Sequence, residues 1–518
     1  MISPINSRLN GQGLSTMYSP GEAEFISLGK QHNLVTVSRS VSADTETPVS
    51  AFIKLGGQRY GFLLESAEGG ERWGRHSFIG CEPQTVIRYS DGRLDFPMGC
   101  GEAIDGADPV DFLFSRMEDF NLADSGEELP YHGGAVGYFS YDLLPFMDRV
   151  ELRSKPALGL PEMMFMLTSS SAAFDHLMGR IILMVNTAIP EGARDPELKK
   201  LYRQSVNTIE SMVRRLQNRI PPALTSDIYF LAEDMDFDGV ESNFTREEYE
   251  DVVAKAKEYI YAGEVYQVVP SQRFTVPLSC SPFSIYRSLR SENPSPYMFY
   301  LNFGDLTLIG SSPEPMVRQR DGKATIRPIA GTRPRGKTPE EDIALEEELK
   351  HDEKERAEHV MLVDLARNDL GRVCRPGTVK VTRMMEVERF SHVMHLVSEV
   401  DGVLRPGCRN RELLRSSFPA GTVSGAPKIR ACQLIDELEA DRRGPYAGAV
   451  GYISYSGDMD TCISIRTIVA NAGKAHVQAG GGVVADSQPP MEYEETQNKA
   501  RALLRAIRVA EAKEGPVI

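Results

Sequence analysis

The chain has 518 residues, 41% of them hydrophobic and 25% charged, which is apolar material for roughly two to three packed units and too much for a disordered or fibrous protein. Its 58 Lys and Arg against 73 Asp and Glu leave a net charge of -15, the wrong sign for a protein whose main task is to neutralise nucleic-acid phosphates. A small anionic ligand would need local cations or a metal.

Met1 to Tyr18 is rich in Ser, Asn and Gly and reads as a loose tail without the charged start and apolar stretch of a secretory signal. Apolar runs such as Met163–Leu167 and Ile181–Val185 are far shorter than the roughly 20 residues that span a bilayer, so no membrane segment and a cytoplasmic location are expected. The seven cysteines are scattered without a C-x-x-C and read as reduced packing residues. Gly192 to Gln217 has helical apolar spacing and leads through Pro221 and Pro222 into an acidic stretch, AEDMDFDGVES, where the domain junction is expected. This sets one unit at 19–225 and a second unit at 240–510. A helix begins after Thr245, with Glu248 completing a capping box, Phe244 and Tyr249 at staple positions and Gly263 as a stop. That reading also accounts for Asn243-Phe244-Thr245, a nominal glycosylation acceptor.

The halves repeat one another. GAVGYFSY at Gly134–Tyr141 returns as GAVGYISY at Gly448–Tyr455, and Ile79-Gly80 through Glu82-Pro83 followed by Asp91-Gly92 resembles Ile309-Gly310 through Glu314-Pro315 followed by Asp321-Gly322. Alternating apolar and polar residues with Asp-Gly turns predict antiparallel hairpins in each half, hence two related sheets. The interval from Gly310 to Gly448 is far longer than that from Gly80 to Gly134, so the second half holds an insertion, where the chemistry is expected.

Gly331 to Thr338, GTRPRGKT, fits the Walker A pattern letter for letter. Pro334 removes an amide donor that a phosphate loop needs, and the segment beyond Pro339 is strongly acidic, so nucleotide binding is set aside. Two Glu-x-x-Glu pairs say more. Glu355 with Glu358, and Glu492 with Glu495, each share a helix face; they are either solvated surface or a convergent set of hard oxygen ligands suited to Mg²⁺. Three glycines, Gly480 to Gly482, precede the second pair and either let backbone approach a ligand or serve a bulge. His395 lies in an apolar run and reads as a core histidine or a proton carrier. Glu314, among prolines at a strand end, is placed for a raised pKa. Arg466 in ISIRTI needs either a bound carboxylate or an internal ion pair.

IAGTRPRG, EHVMLVDLARNDLGR, FSHVMHLVSEV, FPAGTVSGAPKIRA, YAGAVGY and QAGGGVV together resemble the large, chorismate-using subunits (component I) of anthranilate synthases. The likeness runs from about Phe244 to Ile507 and more faintly into LLESAE at Leu63–Glu68. It implies an α+β fold of two packed antiparallel β-sheets flanked by helices. It also implies a lyase that adds ammonia to chorismate, expels the ring hydroxyl as water and eliminates pyruvate. The resemblance makes Glu358 and Glu495 ligands of Mg²⁺, with Glu355 and Glu492 in support, Glu314 the general acid, and His395 the residue aiding pyruvate loss. Gly331, Thr332, Thr422, Tyr446, Arg466, Gly480, Gly481, Gly482 and Lys499 fall at substrate positions. Leu64, Glu65, Ser66, Pro296, Tyr297 and Met298 match a site for feedback by L-tryptophan.

Relatives that add water carry a lysine base where this chain has Gln267, and 4-amino-4-deoxychorismate makers typically carry a lysine where it has Ala330. The anthranilate reading is therefore preferred over aminodeoxychorismate synthase, and over a non-catalytic tryptophan or chorismate sensor. No cysteine has the G-x-C-x-G surrounding of a glutamine amidotransferase, so a separate amidotransferase subunit is implied, in a heterotetramer of two large and two small subunits.

Overall fold

The computed structural model describes residues 17–57, 59–66, 74–99, 101–124, 126, 129–221, 237, 239–390 and 393–514. Most of the expected tail, much of the expected junction, and Ala67 and Glu68 of LLESAE lie outside the described residues. Among the described residues two large antiparallel sheets, one of eleven strands and one of twelve, lie face to face, beside a two-stranded one. Phe62, Phe78, Phe299 and Leu308 of the first meet Val86, Tyr138, Met164 and Val450 of the second in one buried layer. Strand alternation sends the neighbours of these residues outward: Leu63 and Ile309 lie under the helices on the outer face of the first sheet, and Phe139 and Phe165 under those of the second.

The repeat is structural. Strand Gly134–Phe139 pairs with its counterpart Ala449–Ser454, and Gly137 stands opposite Gly451. In the other sheet Gly61–Glu65 pairs with Tyr297–Asn302, flanked by His76–Cys81 and Leu306–Ser312. Gly80 and Gly310 then occupy equivalent places, and a Cβ on either would meet an aromatic ring of the adjacent strand, Phe62 at 2.2 Å and Phe299 at 2.0 Å. The repeated glycines are thus seats for rings. Neither sheet belongs to one half of the chain: both are built from strands before and after the expected junction. The reason is that the repeat units pair with each other instead of closing on themselves.

Helix Arg246–Tyr261 starts on the Thr245–Glu248 capping box, with Phe244 and Tyr249 rings 6.1 Å apart. Helix Asp195–Leu216 occupies the segment expected for it. The insertion supplies strand Ile329–Pro334, helices Pro339–His351 and Glu353–Gly371, and strand Val393–Val403. The GTRP of the Walker-like run is therefore extended strand paired with Val393–Val403, and the Gly336 and Lys337 amides that follow are taken up by the Asp342 and Glu341 carboxylates. Among the described residues, six cysteines are free thiols, five of them buried, and no helix is long and apolar enough to cross a membrane.

Candidate active site

The insertion and the last strand and helix of the chain enclose one site. Glu353–Gly371 presents Glu355 and Glu358, and Pro489–Glu514 presents Glu492, Glu495 and Lys499. Between them strand Lys474–Gly480 ends in the glycine triplet. A Cβ on Gly481 would lie 2.7 Å from Glu492 Oε2 and 3.8 Å from Glu495 Oε1, and one on Gly482 would lie 3.8 Å from Glu358 Oε1. The glycines therefore give the carboxylates a floor that any side chain would fill. Glu492 is buried, and its Oε2 has no hydrogen-bond partner among the described residues. Burial raises its pKa, and the Glu495 charge adds to the rise. The pKa of Glu355 is likewise raised by burial and by Glu358, while Arg333, 3.3 Å from Glu355 Oε1, opposes the rise. Glu495 is paired with Lys499 at 2.6 Å.

These are all-oxygen donors whose negative charge Arg333 and Lys499 relieve only in part, the chemistry a hard divalent cation satisfies. Among the described residues no three acidic, His or Cys side chains are drawn together tightly enough to hold an ion as they stand. The carboxylates fit a cation that keeps several waters better than one caged by protein alone.

Glu314 sits between strands Leu306–Ser312 and Pro315–Arg320, 5% exposed. It accepts from Thr422 Oγ1 at 2.7 Å and from the Ile329 amide. Burial outweighs both bonds and pushes its pKa up to about 8, so the carboxyl is largely protonated at neutral pH. His395 is half-buried, with Nδ1 2.9 Å from the Gly331 carbonyl and 3.1 Å from Thr332 Oγ1. A carbonyl only accepts, so Nδ1 carries the hydrogen and Nε2 keeps its lone pair. Burial lowers the His395 pKa, and the Arg466 charge lowers it further, which favours the neutral ring. His359, next to Glu358, is fully buried on Ser398 and belongs to the core.

Arg466 adopts a φ of 49°, uncommon for a side-chain-bearing residue. Among the described residues no carboxylate lies within ion-pair distance of it, so the internal-pair alternative finds no partner. Burial lowers its pKa, while Tyr446 and Glu495 hold it up. Tyr446 accepts from the Gly480 amide, and Lys499 donates to the Gly480 carbonyl at 2.9 Å. Thirteen of the fifteen residues expected for catalysis, substrate and metal are thus linked through shared neighbours, and Glu314 with Thr422 forms a separate contact pair.

Two contributors, Arg443 and Glu439, escaped the reading of the sequence, and Gln267 entered it only as the place where water-adding relatives carry a lysine. Arg443 and Glu439 form a buried pair 2.6 Å apart, and Arg443 also donates to the carbonyls of Val423 and Val269, tying the Thr422 turn to the segment that enters strand Ser271–Pro277, the partner of Lys474–Gly480. Gln267 places its amide against Gly482 and Glu358. The only signal for the first two was an i, i+4 spacing common to surface pairs.

A second cavity, of about 330 Å³, opens between the sheets and is lined by all six of Leu64, Glu65, Ser66, Pro296, Tyr297 and Met298. Phe78 and Tyr452 give it aromatic walls, and Arg318 and Asp460 give it charges of both signs. Tyr297 donates to Asp460 at 3.0 Å, and Glu65 accepts from Tyr286 and, at 3.0 Å, from Arg290.

The sequence profile described as chorismate binding enzyme matches residues 61–505. The chain belongs to the chorismate binding enzyme family. It is 46% identical to anthranilate synthase component 1 of Aquifex aeolicus over 494 residues, covering 93% of this chain and 97% of that one. It is also 46% identical to the Synechocystis protein of the same name over 510 residues, with 95% and 99% covered. The crystal structure of anthranilate synthase component I from Streptococcus pneumoniae superposes with a TM-score of 0.73 at 37% identity, covering 89% of this chain and 98% of that chain. The menaquinone-specific isochorismate synthase of Escherichia coli, 18% identical with a TM-score of 0.68 and covering 94% and 98%, shares the fold.

Proposed function

We propose that this chain is the large subunit of an anthranilate synthase, converting chorismate and ammonia to anthranilate, pyruvate and water. The observation that carries the reading is Glu314, a buried carboxyl held protonated to about pH 8 beside Thr422, with its second donor, Ile329, at the head of the strand that carries Gly331 and Thr332. A neutral acid of this kind can give its proton to the departing ring hydroxyl. His395 Nε2 is the base for the ring proton lost as the enolpyruvyl group leaves, and the Gly331 carbonyl holds its tautomer. Arg466 and Lys499 receive the substrate carboxylates. Glu358 and Glu495, backed by Glu355 and Glu492, would hold Mg²⁺, which neutralises and orients a substrate carboxylate when bound. Ala330 offers no amine to attack the ring, which supports the anthranilate product over a 4-amino product.

The second cavity is proposed as the feedback site for L-tryptophan: aromatic walls suit an indole, and Asp460 with Arg318 suit an α-ammonium and an α-carboxylate. Ammonia would come from a glutamine amidotransferase subunit, in a heterotetramer of two large and two small subunits.

The test is anthranilate fluorescence from the purified chain with chorismate, MgCl₂ and an ammonium salt near pH 8, with and without EDTA and tryptophan. Metal-dependent, tryptophan-suppressed anthranilate is expected. A 4-aminated product, or chorismate left unconsumed both by this chain and by its complex with the amidotransferase, would overturn the assignment.

A further inference from the structure

Gln267 lies on the short strand Gln267–Val268, paired with Gly425–Ala426 on one side and bridged from Val268 to Val483 on the other. Its backbone is therefore held from both edges. Its side chain is 3% exposed, and Nε2 donates to Glu358 Oε1 at 3.1 Å. A carboxylate oxygen accepts and does not donate, so this contact decides which end of the amide is nitrogen. The nitrogen lies so close over Gly482 that a Cβ there would stand 2.4 Å from it. With the nitrogen committed, Oε1 is left buried and without a hydrogen-bond partner among the described residues. Buried acceptors in folded proteins are nearly always satisfied, and an exception at a site marks a place for a donor.

The donor that a site for chorismate amination must accommodate is ammonia, with three N–H groups and one lone pair. An acceptor engages an N–H and leaves the lone pair free for the ring carbon; a donor at the same place would occupy the lone pair and block attack. We propose that Gln267 Oε1 is the ammonia-holding group, receiving one N–H of the nucleophile beside the Glu358 carboxylate. This assignment rests on the anthranilate synthase reading and adds a co-substrate contact to it. The amide neither gives nor takes a proton. Its contribution is to affinity and aim.

The measurement is a pair of saturation curves on the purified chain, one varying ammonium chloride at saturating chorismate and one varying chorismate at saturating ammonium, near pH 8.5 with MgCl₂. Gln267→Met keeps the length of the side chain and removes the oxygen. The expected result is a KM for ammonia raised about tenfold, the loss of roughly one hydrogen bond, with the KM for chorismate within about twofold of the wild type. Gly482→Ala, which displaces the amide and leaves Gln267 in place, is expected to raise the same constant, so the assignment does not depend on one variant's stability. An unchanged KM for ammonia, or equal rises in both constants, overturns the role. A wild-type protein that makes no anthranilate, either alone or in complex with the amidotransferase, overturns the reading beneath it, and the role with it.

Discussion

Glu314 and Glu492 are both buried carboxylates, yet they differ in what surrounds them. Glu492 has Glu495 for a neighbour and cations in Lys499 and Lys354 within electrostatic reach, whereas among the described residues Glu314 meets only the neutral donors Thr422 and Ile329. With no cation to hold its charge, Glu314 stays protonated until about pH 8, and that protonation has a measurable sign. The unfolded chain releases this proton near the ordinary carboxylate value of about 4.3, so between there and about pH 8 the folded state binds more protons and stability falls as pH rises. Glu314→Gln is expected to lower kcat at least about 100-fold. Its thermal stability relative to the wild type should improve steadily from pH 5 to pH 8. Melting curves of the two proteins that run parallel across that range would refute a neutral buried acid. In the wild type, the rate should decline on the alkaline side as Glu314 ionises.

At the scale of elements, the site is an arrangement of helix faces around a strand end. Glu353–Gly371 and Pro489–Glu514 each carry a Glu-x-x-Glu pair, and the glycine triplet after Lys474–Gly480 lets the two faces approach a common floor. Gly481→Ala places a methyl group 2.7 Å from Glu492 Oε2, which a side-chain rotation relieves without unfolding the strand. The carboxylate then leaves its place. The Mg²⁺ concentration for half-maximal activity is expected to rise at least about tenfold, while the KM for chorismate at saturating Mg²⁺ changes less. A metal requirement equal to the wild type's would separate Glu492 from the cation.

Across the whole molecule, two sites occupy the ends of one strand pair. Pro315–Arg320 and Met459–Ile463 run side by side; Arg318 and Asp460 line the cavity between the sheets, while Glu314 precedes the first strand and Arg466 follows the second. The ladder continues to the acid itself, since the Ile463 amide donates to the Glu314 carbonyl at 3.1 Å. A ligand that wedges the sheets apart at the cavity would move both Glu314 and Arg466. Tryptophan at about 100 times its Kd should stabilise the fold by about 2.7 kcal/mol, read as a raised Tm. Ser66→Phe, which fills the cavity, is expected to abolish both the Tm rise and the inhibition, the latter measured as the ratio of rates with and without tryptophan. Retained inhibition would place the feedback site elsewhere.

Much of this protein is local enough to be determined by its sequence. The capping box at Thr245, the Asp-Gly turns, the repeated GAVGY strands and the helical pairing of Glu355 with Glu358 depend on residues a few positions apart, where dihedral preference and side-chain spacing decide the outcome. The kinds of groups the chemistry needs were legible for the same reason, since a carboxyl or an imidazole declares itself by type. What only the tertiary structure decided is which of these groups meet and how wet they are. That both halves share both sheets follows from register between strands hundreds of residues apart. The protonation of Glu314, the unmet oxygen of Gln267 and the buried Arg443–Glu439 pair are consequences of desolvation, which sums over neighbours contributed by the entire fold. No window of sequence contains those neighbours.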